Sequence, residues 1–117
     1  MFDHWTQNAI EQELFCAENA RLTANEGKAR VCARRAAGIA VRTLLATAGI
    51  PVPDPSAYAV LAQLNHLDWV PVDIKECARH LLTRVRSDYS LPPNVDLIAD
   101  ARKIISWSAA YPSGGPS

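Results

Sequence analysis

Apolar residues recur along this chain at intervals of three and four rather than two, a spacing that predicts α-helices and leaves no segment with strand alternation. The first predicted helix runs from about Trp5 to Ala24, a stretch with neither Gly nor Pro. On a helical wheel Trp5, Ala9, Ile10, Leu14, Cys16, Ala17, Ala20 and Ala24 gather on one broad face, with Gln7, Glu11, Glu18 and Asn19 roughly opposite. Phe15 and Leu22 point from a second side, where a monomer exposes them. The second helix follows Asn25-Glu26-Gly27 and reaches Ala48, with Ala29, Cys32, Ala33, Ala36, Ala37, Ala40 and Leu44 forming a stripe of mostly small side chains that permits close packing. Gly38 costs about 1 kcal/mol relative to Ala inside a helix, so it marks either a tight crossing or tolerated slack. Gly49, Ile50 and Pro51 together form a stop signal.

Pro51-Val52-Pro53-Asp54-Pro55 reads as a stiff connector to a short helix from about Ser56 to Leu67, buried through Val60, Leu61, Leu64 and Leu67. Pro71 suits the first turn of the next helix, which is expected to reach Arg86 with Ile74, Cys77, Ala78, Leu81 and Val85 inward. Asp73, Glu76, His80, Thr83 and Arg84 are expected to face water. After the loop Ser87–Pro93, Asn94 is a candidate cap for a last helix to about Ala110, with Val95, Ile98, Ala101, Ile105 and Ala109 as its core stripe. The predicted fold is therefore all-α: an antiparallel up-and-down bundle of four long helices plus one short one. It forms a single domain over residues 1–111, followed by a disordered tail at 112–117.

Composition narrows the class without naming a function. A chain of 117 residues, 49% apolar with a formal net charge of zero, fits an ordinary globular domain and has no global pull toward nucleic acid. No apolar run approaches the roughly 20 residues a membrane span needs, and Met1-Phe2-Asp3-His4-Trp5 lacks a signal-peptide layout, so a cytoplasmic location is expected. Cys16, Cys32 and Cys77 are odd in number and far apart, which predicts free thiols.

The segment Asn25-Glu26-Gly27-Lys28-Ala29-Arg30-Val31-Cys32-Ala33-Arg34-Arg35-Ala36-Ala37-Gly38 looks like the start of a second helix entered through a short polar turn. With the order long, long, short and two further helices over about residues 3 to 110, the chain resembles the HEPN domain, a family of small helical bundles. The resemblance implies a homodimer, association with nucleotides or RNA, and a nucleotidyltransferase-type protein partner. Many HEPN members are ribonucleases with an Arg, four to six intervening residues, then a His. Here the positions before His80 are Asp73, Ile74 and Lys75, and those before His66 are Ala59, Val60 and Leu61. None is Arg, so the family's catalytic residues do not carry over.

Charge is segregated between the first two helices. Asp3, Glu11, Glu13 and Glu18 stand in helix one against Arg21, whereas Lys28, Arg30, Arg34, Arg35 and Arg42 stand in helix two. Lys28, Arg35 and Arg42 recur every seven residues, a candidate anion or nucleic-acid face; the plainer alternative is that neighbouring helices exchange ion pairs. Glu13 falls inside the apolar arc, where a carboxylate needs a partner, and a structural pair with Arg34 or Arg35 is expected. Cys77 and His80, with Cys32, form only a weak metal pattern and read as a buried thiol beside a surface histidine; no metal and no cofactor is predicted. Phe15, Leu22 and Trp107 are candidate dimer contacts.

Together these features predict a non-catalytic HEPN-like dimeric module that binds a nucleotide, RNA or a protein partner. The alternatives are a ribonuclease or toxin using His80 with Arg79, Arg84 or Arg86, and a structural homodimer or adaptor without ligand.

Overall fold

The computed structural model of the chain describes residues 2–83 and 95–111, and all of their regular structure is helical. Helix α1 spans His4–Leu22, α2 Glu26–Thr47, α3 Ala57–Leu64, α4 Val72–Leu82 and α5 Leu97–Ala110. Among the described residues α1 and α2 are long, at 19 and 22 residues, whereas α4 and α5 have 11 and 14. The expected continuation of α4 to Arg86, the inward place of Val85, the loop over 87–93, the Asn94 cap and the tail over 112–117 lie outside the described residues.

Short polar side chains take up the amides that a helix start leaves without partners. Asp3 accepts from the Thr6 amide at 2.7 Å, Asn25 from Lys28 at 3.1 Å and Ser56 from Ala59 at 3.1 Å. At α5 the cap is Asp96, which accepts from the amides of Ile98 and Ala99, both at 3.1 Å. The chain reverses between α1 and α2 in three residues, with Ala24 in the left-handed region at φ 59° and the Asn25 amide donating back to the Ala20 carbonyl at 2.7 Å. At the far end of α2, Gly49 takes φ 75° and Ile50 donates to Leu45 at 2.9 Å, the stop that Gly49-Ile50-Pro51 predicted.

Helix α2 is the centre of the molecule and packs against α1, α5, α3 and α4. Its predicted stripe, from Ala29 through Leu44, is buried throughout. Small residues bring the neighbours close: a Cβ added to Gly38 would lie 2.8 Å from the Ala57 Cβ and 2.9 Å from its Cα, so Gly38 marks a tight crossing with α3. Three expectations are corrected. Trp5 is 81% exposed rather than in the core: it stands in the first turn of α1, and the buried set of that helix begins only at Ile10. Ala24 is exposed in the turn, since the helix stops at Leu22. On α5 the buried set is Leu97, Ile98, Ala101, Ile104 and Ser108, so the stripe turns toward Ile104 while Ile105 and Ala109 sit half-buried at its margin.

Candidate functional site

Arg35 and Arg42, seven residues apart, are both exposed on α2 and both line one shallow cavity of about 210 Å³. Glu13, Gly38, Ile39, Pro55 and Ala57 complete its lining. The close contact at Gly38 and Ala57 builds this hollow, since it draws the end of the proline connector against α2. Lys28 is exposed another seven residues toward the start of α2, roughly 10 Å along the axis, and does not line the cavity.

Among the described residues no ion pair joins α1 to α2. Two charged groups of α1 turn to α5 and its cap instead: Arg21 pairs with Asp96 at 2.8 Å, and Glu18 with Arg102. Asp73 of α4 pairs with Lys103 of α5 at 3.0 Å. The hydrogen bond from Arg21 holds the Asp96 carboxyl below its ordinary value, and the same bond raises Arg21. Arg35 and Arg42 thus keep their charge available at the cavity, with the Glu13 carboxylate beside them.

Glu13 is half-buried, as the wheel requires, but it is not paired with Arg34. The Arg34 Nε donates to the Leu81 carbonyl at 2.9 Å, and its guanidinium lies 5.8 Å from the centroid of the Tyr58 ring. Carbonyls in the last turn of a helix lack intrahelical partners, so the end of α4 is a strong acceptor, and Arg34 faces it rather than α1. Arg30, one turn earlier, is only 8% exposed, and its Nε and Nη2 find no partner. Burial lowers its pKa, and the charge of Arg34 adds to this. The sequence counted Arg30 within a basic series and gave no sign that it is buried.

The cysteines overturn the expectation of three free thiols. Cys16 and Cys32 are joined across the α1–α2 hairpin with Cα atoms 6.0 Å apart, a separation a disulfide spans. Cys16 stands eight residues before Ala24 and Cys32 eight after it, so a chain reversal centred on Ala24 brings the two level. By the same symmetry Glu13 stands level with Arg35. One carboxylate oxygen of Glu13 and the sulfurs of Cys16 and Cys32 lie within 4.8 Å of one another. Cys32 therefore belongs with Glu13 and Cys16, not with the C-x-x-H pattern of α4. Cys77 remains free and buried, its thiol pushed up to about 11 by burial and then by the nearby Asp100 carboxylate.

His80 is half-buried rather than water-facing. Its Nδ1 meets the Asp100 Oδ2 at 2.9 Å, and its Nε2 lies 3.7 Å from Glu76 Oε1. Arg79 pairs with Glu76 at 3.1 Å, and Arg84 and Arg86 lie outside the described residues. Trp107 is half-buried in an aromatic cluster, its ring centroid 6.1 Å from Trp69 and 6.2 Å from Tyr111. Trp107 thus has intramolecular packing partners, whereas Phe15 and Leu22 stay 69% and 84% exposed.

Comparison with known proteins gives no matching family model, and neither curated proteins nor solved structures yield a match.

Proposed function

We propose that the chain is a non-catalytic, HEPN-like dimeric module of the cytoplasm that binds the phosphates of a nucleotide or RNA through α2. The observation that carries this reading is the pairing of Arg35 and Arg42 at one cavity, with no carboxylate bonded to either among the described residues. Guanidinium groups match phosphate oxygens in planar, two-point contacts, and two of them on one hollow form the minimum of a phosphate clamp. Lys28 extends the positive line toward the start of the helix and suits a polymer better than a single nucleotide. The antiparallel arrangement of four long helices belongs to this proposal, as does the dimer. Phe15 and Leu22, with Trp5, offer α1 as the face between two copies.

A screen of nucleotides and short RNA at two salt concentrations tests the proposal. Binding that weakens with salt and is abolished by R35E and R42E supports it; binding untouched by both variants contradicts it. A nucleotidyltransferase-type protein partner is the related possibility, distinguished by co-purification that the same charge reversals disrupt.

A ribonuclease centred on His80 is favoured by one observation, the Asp100 carboxylate on Nδ1, which is how a general-base histidine is commonly oriented. Against it, Glu76 faces the other ring nitrogen and Arg79 is turned to Glu76, so a phosphate approaching His80 would meet carboxylates. Cleavage of RNA that disappears in H80A would establish this second reading. Neither binding nor cleavage would leave a structural adaptor.

A further inference from the structure

We propose that Glu13, Cys16 and Cys32, in the dithiol form of the chain, bind a single zinc ion. The three donors come from two helices and converge within 4.8 Å of one another. Their meeting is set by the backbone. Glu13 and Cys16 are three residues apart on one face of α1, and Cys32 stands level with Cys16 across the hairpin at a Cα separation of 6.0 Å. Two thiolates and a carboxylate are a donor set zinc accepts, with Zn–S about 2.3 Å and Zn–O about 2.0–2.2 Å. Tetrahedral geometry then holds the two sulfurs about 3.8 Å apart.

Glu13 is the residue that points to a ligand. It sits half-buried inside the apolar arc of α1, and among the described residues it makes no hydrogen bond or ion pair, although Arg35 stands level with it. A half-buried carboxylate has given up part of its hydration, which a partner offsets. A divalent ion between it and the two sulfurs provides the partner, and the thiolates select a borderline-soft ion such as zinc over magnesium or calcium. Because Glu13 also lines the cavity, the fourth tetrahedral position opens toward solvent, where water completes the shell. The bound ion with two thiolates and one carboxylate carries a net charge of minus one, beside Arg35 at the rim.

The disulfide and the metal are alternative states of the same sulfurs. When hydrogen peroxide oxidises the site, the two thiolates lose two electrons to form the S–S bond. The peroxide takes up those electrons and two protons to leave as two waters, and the zinc ion is released. A phosphine reductant reverses the sulfur chemistry. None of this depends on the phosphate-binding proposal.

The test uses the full chain, reduced with a phosphine, desalted and titrated with cobalt(II) as a spectroscopic stand-in for zinc. The expected result is one ion per chain with a thiolate-to-cobalt charge-transfer band, bleached by one equivalent of zinc and absent from the peroxide-oxidised chain. C16S and C32S should each diminish the band. E13Q leaves both sulfurs in place, so it should keep the charge transfer while weakening affinity by at least about tenfold, the scale on which even outer-shell partners matter. Circular dichroism reports whether each variant folds; if a cysteine variant does not, E13Q and the reduced-versus-oxidised comparison still decide. A folded, reduced chain without the band overturns the proposal. So does a band that survives both cysteine substitutions, or an E13Q affinity equal to that of the unaltered chain.

Discussion

Ala24 and Gly38 have exchanged the residues that local backbone chemistry would favour. Ala24 turns the chain from α1 into α2 at φ 59°, in the region where an L-residue with a Cβ costs about 1–2 kcal/mol. Ala24→Gly removes that cost but loosens the unfolded chain by about 0.4–1 kcal/mol, so a net gain of up to about 1.6 kcal/mol is expected, read as a higher thermal midpoint. Gly38→Ala should act oppositely. The helix-propensity gain of about 1 kcal/mol competes with overpacking of about 1–3 kcal/mol, and a contact at 2.9 Å to the Ala57 Cα is with backbone that cannot rotate away. Overpacking wins, and a lowered midpoint in chemical denaturation checks it. At this scale the sequence showed that Glu13 enters the apolar arc, because a wheel needs only local geometry. It did not show where Arg34 goes, because the Leu81 carbonyl is 47 positions away in sequence. The cysteine pair was accessible in principle, since Cys16 and Cys32 are equidistant from Ala24, but only once the turn is centred there.

Among the elements, α5 shows best how one cap controls a face. Asp96 caps it, accepting two amides and the Arg21 guanidinium. The helix then begins at Leu97, and its buried stripe runs through Ile104. The predicted stripe instead followed Val95, which lies ahead of the helix, and so arrived at Ile105. Asp96→Ala should cost about 1 kcal/mol through the lost cap. Asp96→Asn keeps a capping oxygen and removes the charge, which isolates the Arg21 bond. Because Arg21 depresses the folded-state pKa of Asp96 below its ordinary value of 3.8, that contribution is complete above this value and is lost as pH falls through the folded-state value. The difference in thermal midpoint between the unaltered chain and D96N should therefore shrink on acidification below about pH 4. A difference that stays constant with pH would assign the effect to capping alone.

For the molecule as a whole, periodicity was enough to predict that the regular structure of the described residues is all helical, and every residue of the predicted α2 stripe is buried, joined by Arg30, Gly38, Val41 and Leu45 that it did not include. No helix among the described residues is long and apolar enough to cross a membrane. Tertiary choices between helices were less legible, because they depend on which neighbour each face meets. Glu18 of α1 pairs with Arg102 of α5 and not with an arginine of α2, and the aromatic ring of Trp107 packs on Trp69 and Tyr111 rather than remaining exposed. Among the outward residues of α1 stand the large apolar side chains Trp5, Phe15 and Leu22, and F15D combined with L22D should convert a dimer to a monomer in light scattering; an unaltered chain that is already monomeric at high concentration would remove the dimer from the account. The arginines left free on α2 carry the functional claim. Its most direct test is the slope of log K against log salt concentration for a short single-stranded RNA, compared between the unaltered chain and a variant with R35Q and R42Q. The prediction is weaker binding in the variant and a slope shallower by about 0.7 for each arginine removed from a phosphate; equal affinity and equal slope in the two proteins would contradict it.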